Sequence, residues 1–199
     1  MDYFFTIDKT AFAEFKDRGS RFIACAFPMQ SPEDFKKILQ QLKKEHPKAV
    51  HHCFGYRLGI TGDIFRVSDD GEPSGTAGRP ILGQIDNKNL TDTGIIVVRY
   101  FGGTLLGVPG LIHAYKTVSA LVLQMVPVVQ KHIEISYMLH FDYSLTNEIM
   151  KLVKQYNCTV LEQEIQLFPF IKLGIPMPRL EEVLSRLKDF RNVRVEKIV

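Results

Sequence analysis

Two spacings of apolar residues alternate along the chain. Phe35, Ile38, Leu39 and Leu42 recur at helical intervals, with Lys36, Lys37, Lys43 and Lys44 between them. Ser31-Pro32-Glu33-Asp34 precedes that stripe: a capping serine, a proline suited to the first helical position, and an acid three residues after the cap. A helix is predicted from there to Pro47. Short runs rich in β-branched and aromatic residues predict strands at Tyr3 to Ile7, Ser20 to Phe27, His51 to Ile60, Ile64 to Val67 and Ile95 to Phe101, the last apolar enough to be central in a sheet. Ser68 to Gly78 is a polar loop, and Arg79 to Ile85 starts a helix. Gly102 to Gly110 is a glycine-rich turn. Leu111, Ala114, Tyr115, Val118, Val122 and Met125 form one stripe of a helix over Leu111 to Met125.

The second half has a plainer order. Ile133 to Tyr143 reads as strand and Ser144 to Tyr156 as helix. Thr159 to Ile165 and Phe168 to Ile175 read as paired strands, Pro178 to Phe190 as helix, and Asn192 to Val199 as a last strand. That β-α-β-β-α-β sequence is the ferredoxin-like unit. Pro127 ends a helix, so the predicted division is 1–130 and 131–199. The expected class is α+β, a mixed first domain followed by a ferredoxin-like second one.

Composition narrows the class further. Of 199 residues, 45% are hydrophobic and 24% charged, too apolar for a disordered chain. Three cysteines do not make a disulfide scaffold. The longest apolar stretch, Leu111 to Val129, is broken by His113, Lys116 and Pro127, so no membrane association is expected. Met1 to Ile7 lacks a basic stretch ahead of an apolar one, and the cytosol is the expected compartment. A net charge of +3 neither requires a nucleic-acid partner nor excludes one.

Candidate chemistry gathers in four places. Gly102 and Gly103 open a strand–turn–helix passage in which backbone N–H groups can meet an anion, or the turn simply lets the helix pack closely. Gly102 and Gly107 have the spacing of a phosphate loop, but Val108 and Pro109 stand where its lysine and hydroxyl residue belong. In the polar loop, Asp69, Asp70 and Glu72, with the Ser74 and Thr76 hydroxyls, read as the lining of a polar cleft; the spacing is not that of a calcium loop, and a solvated turn is the plainer alternative. His51 and Cys53 share one strand face while His52 points away, and nothing supplies the other half of a zinc site. Arg99 and Tyr100 interrupt an apolar strand. A charge there needs a partner, so Arg99 either pairs with an acid of the loop or takes a phosphate. No nucleophilic triad and no cofactor motif is found.

These segments resemble the YigZ/Impact family, in its bacterial two-domain form. The resemblance is carried by Ser20-Arg21-Phe22-Ile23, by His46-Pro47 with His51-His52-Cys53, and by the run from Ser68 to Pro80. Val97-Val98-Arg99-Tyr100-Phe101-Gly102-Gly103-Thr104-Leu105-Leu106-Gly107, Gly110-Leu111 and Ala114-Tyr115 complete it. It implies a first domain like one of a small-subunit ribosomal protein, a two-layer arrangement of sheet and helices. It implies a second domain similar to one in elongation factor G. Eukaryotic relatives are translation regulators that act by binding a protein, and no catalytic set carries over.

Three functions follow as expectations. The first is a non-enzymatic factor binding RNA or the ribosome: Arg79, Arg99, Lys116 and the helix start at 108–110 take phosphates, and Tyr100 and Phe101 stack on bases. The second is an enzyme on a phosphorylated substrate, using Glu72, Asp70 or His52 as acid and base. The third is a protein-interaction regulator. The first two require His52, Asp70, Glu72, Arg99 and Lys116 to meet around one concavity.

Overall fold

The computed structural model describes residues 2–166 and 169–198. The chain divides into two compact units, Phe4–Lys131 on one hand and Met1–Tyr3 with His132–Val199 on the other.

The elements of the first unit, which β1 and β7 overrun by one residue each, are β1 (Tyr3–Ile7), β2 (Ala11–Asp17), β3 (Ser20–Pro28), α1 (Pro32–Glu45), β4 (His51–Leu58), β5 (Ile64–Ser68), α2 (Gly78–Asn87), β6 (Thr93–Tyr100), α3 (Gly107–Val122) and β7 (Val128–His132). β1 pairs with β7, and the other strands form a sheet in the order β2-β3-β6-β4-β5. Its neighbours are all antiparallel. β6 lies at the centre because Gly94 to Val98 is buried on both faces. The even positions Phe22, Ala24 and Ala26 pack under α2 and α3 with Ile81, Ile85, Ala114, Tyr115 and Val118. The alternate row, Cys25, Phe27, Phe54, Tyr56 and Ile96, packs under α1 against Phe35 and Leu42. The α+β class holds, and α1 makes three layers where two were expected.

Local chemistry explains the element ends. The Ser31 hydroxyl accepts from the Asp34 N–H at 3.2 Å, and Asp34 Oδ2 accepts from the Ser31 N–H at 3.1 Å. That reciprocal cap fixes the start of α1. The stripe helix begins at Gly107, four residues before its first apolar position. Pro109 is tolerated there because the N–H groups of a first turn need no partner in the helix. It ends at Val122, so Met125 leaves the stripe and is 63% exposed. β2 was not predicted, although Ala11, Ala13 and Phe15 alternate inward against Phe12, Glu14 and Lys16.

The second unit contains β8 (Glu134–His140), α4 (Thr146–Gln155), β9 (Thr159–Glu164), β10 (Phe170–Pro176), α5 (Leu180–Lys188) and β11 (Arg194–Lys197). Its antiparallel order is β11-β8-β10-β9, the ferredoxin-like arrangement. Leu139, Ile171, Leu173 and Ile175 pack against Ile149, Leu152, Val153, Val183 and Leu187 of the two helices. Phe168 and Val199, placed at strand ends by the sequence, lie outside the described residues.

Candidate functional site

The polar loop owes its shape to Asp69. Its Oδ2 accepts from the Gly75 N–H at 2.8 Å, and its Oδ1 from Ala77 at 3.0 Å and Gly78 at 2.9 Å. The carboxylate thus caps α2 from outside the helix. Burial raises its pKa, but the three N–H donors, with Arg79, together outweigh that and hold it below the ordinary value. Thr76 is buried and donates to the Pro73 carbonyl at 2.7 Å. The chain reverses at Asp70 (φ +43°) and Gly71 (φ +91°). The turn is tied to β4: the His52 N–H donates to Asp70 Oδ2 at 2.6 Å, and the Asp70 carbonyl lies 2.7 Å from His51 Nδ1. Ser74 is left exposed at the tip.

This folding turns Glu72 inward onto the sheet. Phe22, Arg99 and His51 stand in one row across β3, β6 and β4, on the α2–α3 face. Arg99 Nη1 meets Glu72 Oε1 at 2.5 Å, with the two side chains only 5% and 4% exposed. The Tyr115 hydroxyl, projecting from α3, donates to the same Oε1 at 2.7 Å. Cys53 Sγ lies 3.2 Å from that hydroxyl and 3.0 Å from the Asp69 carbonyl, and its single proton serves one of them at a time. Burial pushes the Tyr115 and Cys53 pKa values well up, so both stay protonated donors.

On the other side Arg99 Nη2 reaches the Ser20 hydroxyl at 3.3 Å, which also accepts from the Gly102 N–H at 3.2 Å. The guanidinium lies over the rings of Phe22 (5.3 Å) and Phe101 (5.7 Å). Its Nε is buried without a hydrogen-bond partner. The turn at Gly102 sits against the β2–β3 hairpin so closely that a Cβ there would fall 1.9 Å from the Gly19 carbonyl carbon. Close packing is therefore what Gly102 provides. Gly103, at φ +86°, is exposed beside it.

A concavity of about 640 Å³ opens above this network. His51, Glu72 and Arg99 lie at its polar end, and Val50, Phe101, Leu105, Leu106, Val108 and Leu111 line the rest. Phe101 is 47% exposed and Leu105 82%. The mouth is thus apolar, and the charge beneath it is paired.

Of the predicted site residues, Glu72, Arg99 and His51 meet here, with Asp70 and Asp69 holding the turn behind them. His52 and Tyr100 do not join them. Alternation sends both to the α1 face, where Tyr100 OH lies 2.9 Å from His46 Nδ1 and His52 Nε2 is buried without a partner. Lys116 is exposed on α3 and does not line the concavity, since its neighbour Tyr115 takes the inward position. Arg79 is exposed in the first turn of α2. The sequence reading missed Tyr115 and Ser20 as members of the network. A tyrosine on an otherwise apolar stripe carries a hydroxyl that needs a partner, and that was the available signal. Among the described residues no group of three or more His, Cys, Asp or Glu is placed to hold a metal ion.

Comparison with known proteins agrees with this architecture. The Impact N-terminal domain family matches residues 18–123, the stretch that builds the concavity. IMPACT family member YigZ of Escherichia coli is 32% identical over 175 residues, 87% of this chain and 86% of that protein. An IMPACT family member of Haemophilus influenzae is 33% identical over 177 residues, 86% and 84% of the two chains. A crystal structure described as a hypothetical protein superposes with a TM-score of 0.79 at 28% identity, covering 100% of this chain and 98% of that one. With its signature loop, its Arg99 row and its glycine turn all inside the matched segment, the chain belongs to the Impact family.

Proposed function

We propose that the protein is a non-catalytic, translation-related factor of the cytosol whose N-terminal unit binds single-stranded RNA, free or on the ribosome. The observation that carries this reading is the half-exposed Phe101 ring, set over the Arg99 guanidinium at the mouth of a concavity of nucleoside size. Beside it the exposed Gly102–Gly103 turn leads into the first turn of α3, whose start no side chain caps, which supports a phosphate contact there. The translation setting follows the family resemblance. The cytosolic setting is supported by three buried free thiols, and no helix among the described residues is long and apolar enough to cross a membrane. The carboxylates favour a binding role over acid–base chemistry, because Asp69 and Glu72 Oε1 are engaged in holding the fold.

A second reading, a protein-interaction regulator, is favoured by the apolar rim. Leu105, Val108 and Ile112 are 82%, 51% and 38% exposed on and after the turn. Co-sedimentation with ribosomes and fluorescence anisotropy with single-stranded RNA separate the two. The RNA reading expects retention at about 50 mM salt, marked loss by about 200 mM, and weakening in Phe101→Ala. Absence of retention at both salts refutes it. Capture of a single protein without nucleic acid, insensitive to salt, puts the second reading in its place.

A further inference from the structure

The polar end of the concavity offers acceptors, although an arginine lies in it. Arg99 has one Nη on Glu72, the other on Ser20, and its Nε enclosed. What faces the cavity is fixed by two neighbours. The Asp70 carbonyl, 2.7 Å from His51 Nδ1, can only accept, so in the neutral ring Nδ1 carries the proton and Nε2 presents a lone pair. Arg99 and Tyr115 both donate to Glu72 Oε1, so Oε2 is the oxygen turned toward His51. Oε2 and Nε2 are 3.9 Å apart. That gap is too long for a direct hydrogen bond.

One nitrogen carrying two hydrogens fits between them. Bonds of about 2.9 Å to both acceptors subtend roughly 85° at that nitrogen, within the bending that amino N–H groups tolerate. A carbonyl oxygen in the same place would face a carboxylate oxygen and a ring lone pair, and both repel it. The walls suit a flat apolar body, with Phe101 at the mouth and Leu106, Val108 and Leu111 along the side. We propose, resting on the RNA reading above, that this pocket recognises an unpaired base by its exocyclic amino group and rejects uracil. Phosphate belongs to the glycine turn outside and not to Arg99.

Cytosine and uracil differ at ring position 4 by an amino group against a carbonyl, which makes them the decisive pair. The experiment measures anisotropy of short oligo(C) and oligo(U) with the full chain at low salt, and repeats it with CMP and UMP as competitors. Oligo(C) is expected to bind at least about tenfold more tightly, the equivalent of one good hydrogen bond. His51→Leu should weaken oligo(C) and, with one repelling lone pair gone, leave oligo(U) no weaker than before, so that the preference narrows. Glu72→Gln should narrow or invert the preference, because Gln keeps an oxygen for Arg99 and turns an N–H donor into the pocket. A structural role would lower both affinities alike. Should Glu72→Gln fail to fold, the His51→Leu comparison alone decides. Equal, salt-sensitive binding of the two oligomers overturns the amino-group proposal and leaves the RNA reading standing. Binding of neither overturns both.

Discussion

Arg99→Met tests whether the buried pair acts as one unit. It strands the Glu72 carboxylate, 4% exposed, with only the Tyr115 hydroxyl donating to it. Breaking one side of a buried pair costs about 3–5 kcal/mol, because the remaining charge keeps its desolvation penalty and loses its partner. Glu72→Leu strands the guanidinium in the same way, between Ser20 and two rings, and should cost a similar amount. The double variant leaves no charge to strand. Its cost falls to about 1–2 kcal/mol, mainly the unanswered Tyr115 hydroxyl. The coupling is then several kcal/mol, far outside the ~0.5 kcal/mol expected of independent sites. The cysteines supply the assay. Cys25 and Cys53 lie buried in the first unit and Cys158 in the second, with burial pushing Cys25 up to about 12 and Cys158 to about 11. Pulsed thiol labelling across a urea series, read by mass spectrometry, therefore follows each unit separately. With a slope near 2 kcal/mol per molar urea, each single variant should move the Cys53 midpoint down by about 2 M and leave Cys158 in place. Additive effects, or a shift in Arg99→Met below about 0.5 M, would refute the paired-core account and return Arg99 to the pool of available phosphate ligands.

Two further outcomes follow from the same geometry. Gly102→Ala must part the turn from the β2–β3 hairpin, since its Cβ would sit 1.9 Å from the Gly19 carbonyl carbon; a loss of about 1–3 kcal/mol and faster amide exchange at Ser20 to Phe22 are expected, and an unchanged melting curve would contradict the close approach. His52 has its pKa lowered, chiefly by burial and against the pull of Asp70, so the fold resists a proton that the unfolded chain accepts near pH 6.5. Stability should therefore fall as pH drops from about 7.5 through 6.5 and level off below the folded pKa; His52→Gln should lose that slope, and parallel pH profiles of the two proteins would exclude His52 as its source.

Elements with strong local signals were legible. The Ser31–Asp34 box, the helix stripes of α4 and α5, and the order of the second unit all stood in the residue pattern. β2 was harder because its inward residues include two alanines, which give alternation little contrast. The third layer was invisible for another reason: which face of a sheet a helix covers depends on the path of the chain, and the Ser31–Glu45 stripe is the same on either side. Within the site, strand parity correctly parted His51 from His52, and applied to β6 it would equally have parted Arg99 from Tyr100. Lys116 was within reach of the same reasoning, one position from a tyrosine already assigned inward.

What parity could not deliver was the partner of Arg99. Three acids stood within four residues of one another, and any of them could have reached it by composition alone. The choice was made by backbone conformation. Asp69 is drawn back by three N–H groups of the α2 start, Asp70 enters the left-handed region and turns to β4, and only then does Glu72 point at the sheet. This sorting changes the chemistry of the pocket. An unpaired Arg99 would make the polar end an anion site. Paired with Glu72, its charge is answered inside the fold, and in the proposal made above Glu72 Oε2 and His51 Nε2, both acceptors, are the groups that meet a ligand. A cavity whose arginine the sequence leaves open to either an acid or a phosphate thus becomes, through one turn, a cavity with that charge already paired.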